Sequence, residues 1–151
     1  MVRDAAGNFY GTTYYGGGSR YGGSGCGIVF KLDARGKETV LHKFNGGTDG
    51  EHPGYGSLVR DAAGNLYGTT YNGGGTGCGG PGCGIVFKLD ATGKETVLHR
   101  FTGATDGGNP YGGLVQNAFG NLYGTTLSNG DLSCSTSDGP GCGVVFKLTP
   151  R

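Results

Sequence analysis

The chain has 151 residues, of which 37 are glycine, 15% are charged, and the formal net charge is +1. This near-neutral charge gives no electrostatic basis for binding nucleic acid or an anionic membrane surface. No apolar run reaches the roughly 18 residues that a membrane-spanning helix needs, so no membrane span is expected. The glycines lack the three-residue period of collagen, and regular apolar runs between them argue against disorder.

The sequence repeats itself. The motif Asn-(Phe/Leu)-Tyr-Gly-Thr-Thr occurs at residues 8–13, 65–70 and 121–126, with offsets of 57 and 56 residues. A period of this length indicates a supersecondary unit in tandem, and such units bury their apolar faces against their neighbours. The sequence therefore predicts a single repeat domain over 1–151. Its predicted parts are repeat 1 (4–60), repeat 2 (61–116) and a partial repeat 3 (117–151).

Repeat 2 shows the predicted elements most clearly. Residues 65–71 alternate apolar and polar side chains, which predicts a first strand after a turn containing Gly64. Beyond a glycine-rich loop, residues 85–89 and 95–101 predict the second and third strands of a hairpin. A longer loop follows, and residues 112–115 predict a short fourth strand.

The fold class predicted from this unit is all-β, a β-propeller-type array of four-stranded antiparallel blades. About two and a half repeats cannot close a ring of the usual four to eight blades, so the ring is incomplete unless the chain is oligomeric. The chain also begins and ends inside a repeat. Two interpretations stay open: completion by other copies, as a ring or a filament, or a fragment of a longer chain.

The five cysteines follow the repeat. Cys78 and Cys134 precede Cys83 and Cys142 by five and eight residues, inside glycine-rich loops. Two local disulfides, Cys78–Cys83 and Cys134–Cys142, are predicted, because each would close a loop that has few apolar side chains. Cys26 lacks an upstream cysteine and is expected to keep a reduced thiol or to pair with another chain. The spacing fits zinc poorly, and disulfides indicate an oxidising compartment.

In their number and order, these motifs resemble the GloVer repeat family of bacterial proteins. The shared pattern is Asp-x-x-Gly-Asn, Leu-Tyr-Gly-Thr-Thr, Val-Phe-Lys-Leu, Val-Leu-His-x-Phe, Asp-Gly-x-x-Pro and Gly-Leu-Val, and it covers residues 61–115. Repeat 1 departs from it at Phe9 and Ser57, and repeat 3 at 117–120. The resemblance implies secreted or surface-exposed, propeller-like repeats in larger bacterial proteins, and it implies no catalytic residue.

Two sets of polar residues recur once per repeat. His42 and His99 could line a common channel, but we favour half-buried strand residues whose ring nitrogens meet neighbouring backbone groups. Asp49 and Asp106 each offer one carboxylate, whereas Ca²⁺ takes six to eight oxygen ligands, so Asx turns are favoured. We therefore predict no catalytic residue, no cofactor and no metal site.

The tyrosines divide into two groups. The repeated strand residues Tyr10, Tyr67 and Tyr123 are predicted to pack between blades. Tyrosines in or near the loops could instead stack on a ligand such as a glycan. This possible ligand-binding surface comprises Tyr14, Tyr15, Tyr21, Tyr55, Tyr71 and Tyr111.

The sequence therefore predicts a non-catalytic structural repeat module, extracellular or at the cell surface. Its incomplete propeller would be completed by other copies, as a homo-oligomeric ring or filament. One alternative is a glycan- or protein-binding propeller module. The other is a fragment of a larger secreted propeller protein with an enzymatic central channel.

Overall fold

The computed structural model describes residues 1–18, 23–137 and 139–150, and within these ranges the regular structure is β-strand except for short 3-10 turns such as Gly47–Asp49. The strands are β1 Val2–Arg3, β2 Phe9–Thr13, β3 Ile28–Leu32, β4 Glu38–Lys43, β5 Val59–Arg60, β6 Leu66–Thr70, β7 Ile85–Leu89, β8 Glu95–Arg100, β9 Gly108–Pro110, β10 Val115–Gln116, β11 Leu122–Ser128, β12 Ser135–Thr136, β13 Gly139–Pro140 and β14 Val145–Leu148.

Three larger antiparallel sheets follow one another along the chain, and β12 and β13 form a separate two-stranded antiparallel sheet. The first sheet has the order β1-β2-β3-β4, and the second has the order β5-β6-β7-β8. The third has the order β10-β11-β14, with β9 pairing to the far end of β11. The predicted four-stranded antiparallel unit is thereby confirmed, and no ring or barrel closes among the described strands.

The fourth strand predicted for repeat 2 belongs to the next sheet. The structure has β10 at Val115–Gln116 rather than at 112–115, and β10 pairs with β11. The reason is local, because the backbone turn between Asn117 and Asn121 brings β10 directly back onto β11 as a hairpin. Each sheet therefore begins with the short strand that precedes its Tyr-Gly-Thr-Thr motif.

The glycine of that motif makes room for the phenylalanine of Val-Phe-Lys-Leu. Gly68 on β6 pairs with Phe87 on β7, and a Cβ at Gly68 would lie 2.7 Å from the Phe87 ring. The same pairs recur as Gly11 with Phe30, and as Gly124 with Phe146. The phenylalanine of one motif thus requires the glycine of the other, because its aromatic ring lies across the glycine backbone of the neighbouring strand.

Two hydrophobic cores fill the spaces between successive sheets, and they are built from corresponding residues. Between the first and second sheets lie Tyr10, Cys26, Val29, Phe44, Leu58, Leu66, Ile85, Phe87 and Leu89. Between the second and third sheets lie Tyr67, Cys83, Val86, Phe101, Leu114 and Leu122, with Phe146 and Leu148 packed against them. The prediction that Tyr10 and Tyr67 pack between units is confirmed; Tyr123 is half-buried.

The two interfaces share one geometry. The rings of Phe44 and Phe87 lie 5.2 Å apart at 64°, and those of Phe101 and Phe146 lie 5.2 Å apart at 64°. Backbone pairing across the interfaces also recurs, since Glu51 bridges to Asn72 while β9 pairs with β11. Successive sheets are therefore related by nearly the same rotation and translation.

The Asp-x-x-Gly-Asn turn fixes the strand tyrosine. Asp61 accepts hydrogen bonds from the backbone and side chain of Asn65 and, at 3.0 Å, from the Tyr67 hydroxyl. Burial alone would raise the pKa of Asp61, but these hydrogen bonds outweigh it and leave the pKa below its ordinary value. In repeat 3, Asn117 takes this place and donates to the Tyr123 hydroxyl. Asparagine thus preserves the contact by reversing the direction of the hydrogen bond.

Candidate functional site

Both predicted disulfides are present. Cys78 bonds to Cys83 and Cys134 to Cys142, with Cα–Cα distances of 5.3 and 5.7 Å. Cys26 is buried and belongs to neither disulfide. It occupies in the first core the place that Cys83 occupies in the second. The position two residues before the second strand of a sheet therefore holds a disulfide-bonded cysteine at Cys83 and a cysteine outside either disulfide at Cys26, and both are packed in a core.

Five of the six predicted loop tyrosines lie together, and Tyr21 lies outside the described residues. Tyr55 is central: its ring stacks on Tyr111 with centroids 4.2 Å apart and meets the edges of Tyr14 and Tyr71 at 5.1 and 5.4 Å. Tyr14 also contacts Tyr15 at 4.7 Å. We call this group the tyrosine surface: Tyr14, Tyr15, Tyr55, Tyr71 and Tyr111.

The tyrosine surface combines fixed and exposed rings. Tyr15, Tyr55 and Tyr111 are exposed, whereas Tyr14 stacks on His52 with ring centroids 4.1 Å apart. Burial, with a hydrogen bond to Tyr55, raises the pKa of Tyr14, so its hydroxyl stays protonated at neutral pH. The surface therefore presents aromatic rings and hydroxyl groups together.

Two corresponding residues hold the loops beneath the tyrosine surface. His52 and Asn109 adopt left-handed backbone conformations, with φ of 59° and 54°. The backbone N–H of each donates to the carbonyl of a core cysteine, Cys26 or Cys83, at 2.8 and 2.7 Å. The Asn109 side chain also donates to the Tyr71 carbonyl at 3.1 Å. Such a conformation is uncommon for non-glycine residues, so its recurrence marks a position where loop geometry is held firmly.

The repeated histidines lie beside carboxylates, which corrects the expectation that they meet backbone groups. His99 Nε2 lies 3.2 Å from Asp106 Oδ2. His42 Nε2 lies 4.0 Å from Asp49 Oδ2 and 3.8 Å from Glu95 Oε2. The physical reason is that the loop after the third strand folds back and places its aspartate over the histidine of that strand.

The loop aspartates hold their own loops, but these contacts differ from the predicted Asx turns, in which the carboxylate would accept from the backbone two residues further on. Asp49 accepts a hydrogen bond from the Asn45 backbone N–H at 3.0 Å, and Asp106 accepts one from Thr102 at 3.0 Å. In both loops the oxygen that caps the backbone four residues earlier, Oδ2, is also the oxygen nearest the histidine.

Glu95 was not singled out by the sequence. It lies at the start of β8, in the second sheet, yet it reaches His42 of the first sheet. Burial, with the charge of Asp49 nearby, raises the pKa of Glu95 to about 7. In the sequence, Glu95 is marked only by Glu38, which occupies the same place in the preceding repeat. That correspondence does not reveal that Glu95 contacts a histidine while Glu38 is exposed.

These features define a tandem-repeat protein whose antiparallel sheets stack through corresponding cores. The family model described as the Gloeobacter/Verrucomicrobia repeat matches residues 1–151, and the chain belongs to this family. The family resemblance drawn from the sequence motifs is thereby confirmed. The chain has no match among curated proteins. In the described parts of the chain, no helix has the length and apolarity that crossing a bilayer would require.

Proposed function

We propose that this chain is a non-catalytic, extracytoplasmic structural module that self-associates head to tail. Its sheets would continue from one copy to the next as a propeller-type array, closed into a ring or extended as a filament. The observation that carries the proposal is that the two end faces of the stack expose the residue types that its internal interfaces bury. We call the end face on the first sheet the leading face (Met1, Phe9, Phe30, Leu32 and Val40) and the end face on the third sheet the trailing face (Val115, Tyr123 and Val145).

The leading face lies on the first sheet. Phe9 is 38% exposed, whereas Leu66, its counterpart in the second sheet, is 2% exposed within the first core. Val40 is also exposed, and Phe30 and Leu32 are only half-buried, although their counterparts in the second sheet are packed in that core. Covering this face would remove apolar surface from water at roughly 25 cal/mol per Å².

The trailing face lies on the third sheet. Val145 is 80% exposed, whereas its counterpart Val86 is fully buried between the second and third sheets. Val115 is 67% exposed, although Val59 in the same place is packed against the second core. Val115 on β10 and Val145 on β14 thus expose aliphatic side chains on the two strands that flank β11. Exposed apolar residues grouped in this way favour contact with a protein partner over contact with water.

A second copy is the partner that fits both faces. The leading face resembles the surface that the second sheet presents to the first, and the trailing face resembles the surface that the first presents to the second. Joining unlike faces makes a heterologous contact, which closes into a ring or continues as a filament. The internal interfaces supply the geometry for this contact, since both have the same Phe–Phe packing.

An extracytoplasmic location is supported by the two disulfides. Each closes a glycine-rich loop near the surface, and such bonds persist in oxidising compartments and are rare in the cytosol. The assembly would therefore form outside the cytoplasm, where the loops stay cross-linked.

The head-to-tail contact can be tested with two variants that each block one face. Phe9→Asp with Val40→Asp blocks the leading face, and Val115→Asp with Val145→Asp blocks the trailing face. Each variant alone is expected to sediment as a monomer of 15.3 kDa. An equimolar mixture should form a 1:1 dimer and no larger species, because one intact face of each kind remains.

Phe119→Asp is the matched control, since Phe119 is an exposed aromatic residue in a turn and lies on neither end face. This variant should assemble as the wild-type chain does. A mixture of the two blocked variants that stays monomeric would refute the head-to-tail contact, as would loss of assembly in Phe119→Asp.

The tyrosine surface supports a second candidate function, the binding of a glycan. Three of its rings are exposed beside hydroxyl and amide groups, and sugar rings commonly stack on aromatic faces while their hydroxyls bond to polar neighbours. The surface also spans the junction between repeats, since Tyr55 and Tyr111 come from corresponding loops and stack on one another.

Glycan binding predicts that a labelled wild-type chain is retained on a glycan array and that Tyr111→Ala abolishes this retention. The effect follows from losing both an exposed ring and the partner that holds Tyr55. Phe119→Ala, which removes an exposed ring elsewhere, should leave retention unchanged. Absence of retention for the wild-type chain, or equal loss in both variants, would contradict this function.

A further inference from the structure

We propose that His42, Asp49 and Glu95 form a binding site for one divalent transition-metal ion of the Zn²⁺ class, held between the first and second sheets. The three side chains come from β4, from the loop after β4, and from the start of β8. The site is independent of self-association, because every ligand belongs to a single chain.

The geometry of the trio suits a single ion. One potential ligand atom from each residue lies within 4.8 Å of the others. His42 Nε2 lies 4.0 Å from Asp49 and 3.8 Å from Glu95. Ligand bonds of about 2.0–2.2 Å to Zn²⁺ place neighbouring ligand atoms roughly 3–4 Å apart, so small side-chain rotations bring the three atoms onto one ion.

Each of the three side chains has a polar atom without a hydrogen-bond partner in the described parts of the chain. His42 Nε2, Asp49 Oδ1 and Glu95 Oε1 are all shielded from water and make no hydrogen bond to the described residues. The carboxylate oxygens nearest His42 Nε2 are the other two, Asp49 Oδ2 and Glu95 Oε2. Buried polar atoms are nearly always satisfied, and leaving one unsatisfied is costly, so a cation bound by these three side chains would compensate for the missing hydrogen bonds.

The donor atoms of the three side chains also suit a metal ion. One imidazole and two carboxylates form a nitrogen–oxygen ligand set that suits Zn²⁺.

Comparison with corresponding positions shows that the site depends on two adjacent sheets. Glu38 occupies the place of Glu95 in the first sheet and is exposed. His99 and Asp106 repeat the histidine–aspartate pair, yet no third metal-ligating side chain joins them among the described residues. A metal at the complete site would connect β4 and β8 and so fasten one sheet to the next.

The test is isothermal titration of the full chain with Zn²⁺ after treatment with EDTA. We expect one ion per chain, and we expect Glu95→Gln or His42→Gln to weaken binding at least tenfold. Glu38→Gln is the matched control and should bind as the wild type does. Zn²⁺ at about 100 times its dissociation constant should also raise the Tm of the wild type by about 5 °C or more, but not that of Glu95→Gln.

Titration with Co²⁺ separates this site from the buried thiol of Cys26. The near-ultraviolet spectrum of the bound ion should lack thiolate-to-metal charge-transfer bands, since the ligands are nitrogen and oxygen. Circular dichroism checks that the variants are folded before binding is compared. No Zn²⁺ binding by the wild type, or wild-type affinity in both Glu95→Gln and His42→Gln, would overturn the proposal.

Discussion

Replacing Phe87 by alanine is expected to lower the free energy of unfolding by about 3–5 kcal/mol, the usual cost of removing a fully buried phenylalanine. The Phe87 ring is completely shielded from water and contacts Phe44 across the first core. It also lies over Gly68, which has no side chain that could fill the space left by the ring. Urea denaturation followed by circular dichroism measures the change.

Phe30→Ala is the matched control, because Phe30 occupies the same strand position in the first sheet. Its ring lies over Gly11 in the same way but is only half-buried, since no sheet formed by the described strands covers it. At concentrations where the chain is monomeric, we expect a loss of about 1–2 kcal/mol. Equal losses for the two variants would show that burial between sheets does not set the stability of the fold.

Reducing both disulfides is expected to lower the free energy of unfolding by about 4–5 kcal/mol, because each short loop contributes about 2 kcal/mol in the chain-entropy model. The cross-linked loops have few other constraints, since they consist mainly of glycine and small polar residues. Denaturation curves recorded with and without dithiothreitol measure the change. Coincident curves, with reduction verified by thiol titration, would contradict the prediction.

Cys78→Ala separates the loop constraint from the core packing of Cys83. The variant leaves a buried thiol at position 83, which is the arrangement that Cys26 already has in the first core. We therefore expect a loss of about 2 kcal/mol with the core intact. A much larger loss would mean that the disulfide also positions residues in the second core.

The strands and disulfides were predictable because their determinants are local. Alternating side chains identified β6, β7 and β8 to within a residue at each end, and the cysteine spacing identified both bridges. The assignment of β10 failed because it depends on which neighbour the strand pairs with. The hairpin turn that follows β10 determines that β10 pairs with β11. The residues that precede β10 do not indicate this pairing partner.

The two candidate sites differ in how much of them could be predicted. The loop tyrosines could be named together, since aromatic residues in glycine-rich loops have few places to be buried, and five of them do lie side by side. The trio around His42 could not, because Glu95 lies more than fifty residues away and in the next sheet. Only the stacking of sheets brings those groups together.

The two interfaces between sheets share their Phe–Phe packing, and in repeat arrays such nearest-neighbour contacts contribute to stability together with the intrinsic stability of each repeat. In our proposal, the same contact that stabilises the chain internally also joins it to the next copy.

The native mass of the wild-type chain as a function of concentration tests this proposal most directly. Sedimentation velocity or light scattering should give masses that rise above the 15.3 kDa of one chain, in steps of whole chains, as concentration increases. A ring would approach a fixed multiple, whereas a filament would keep growing. A chain that remains monomeric up to millimolar concentration would contradict self-association through the end faces.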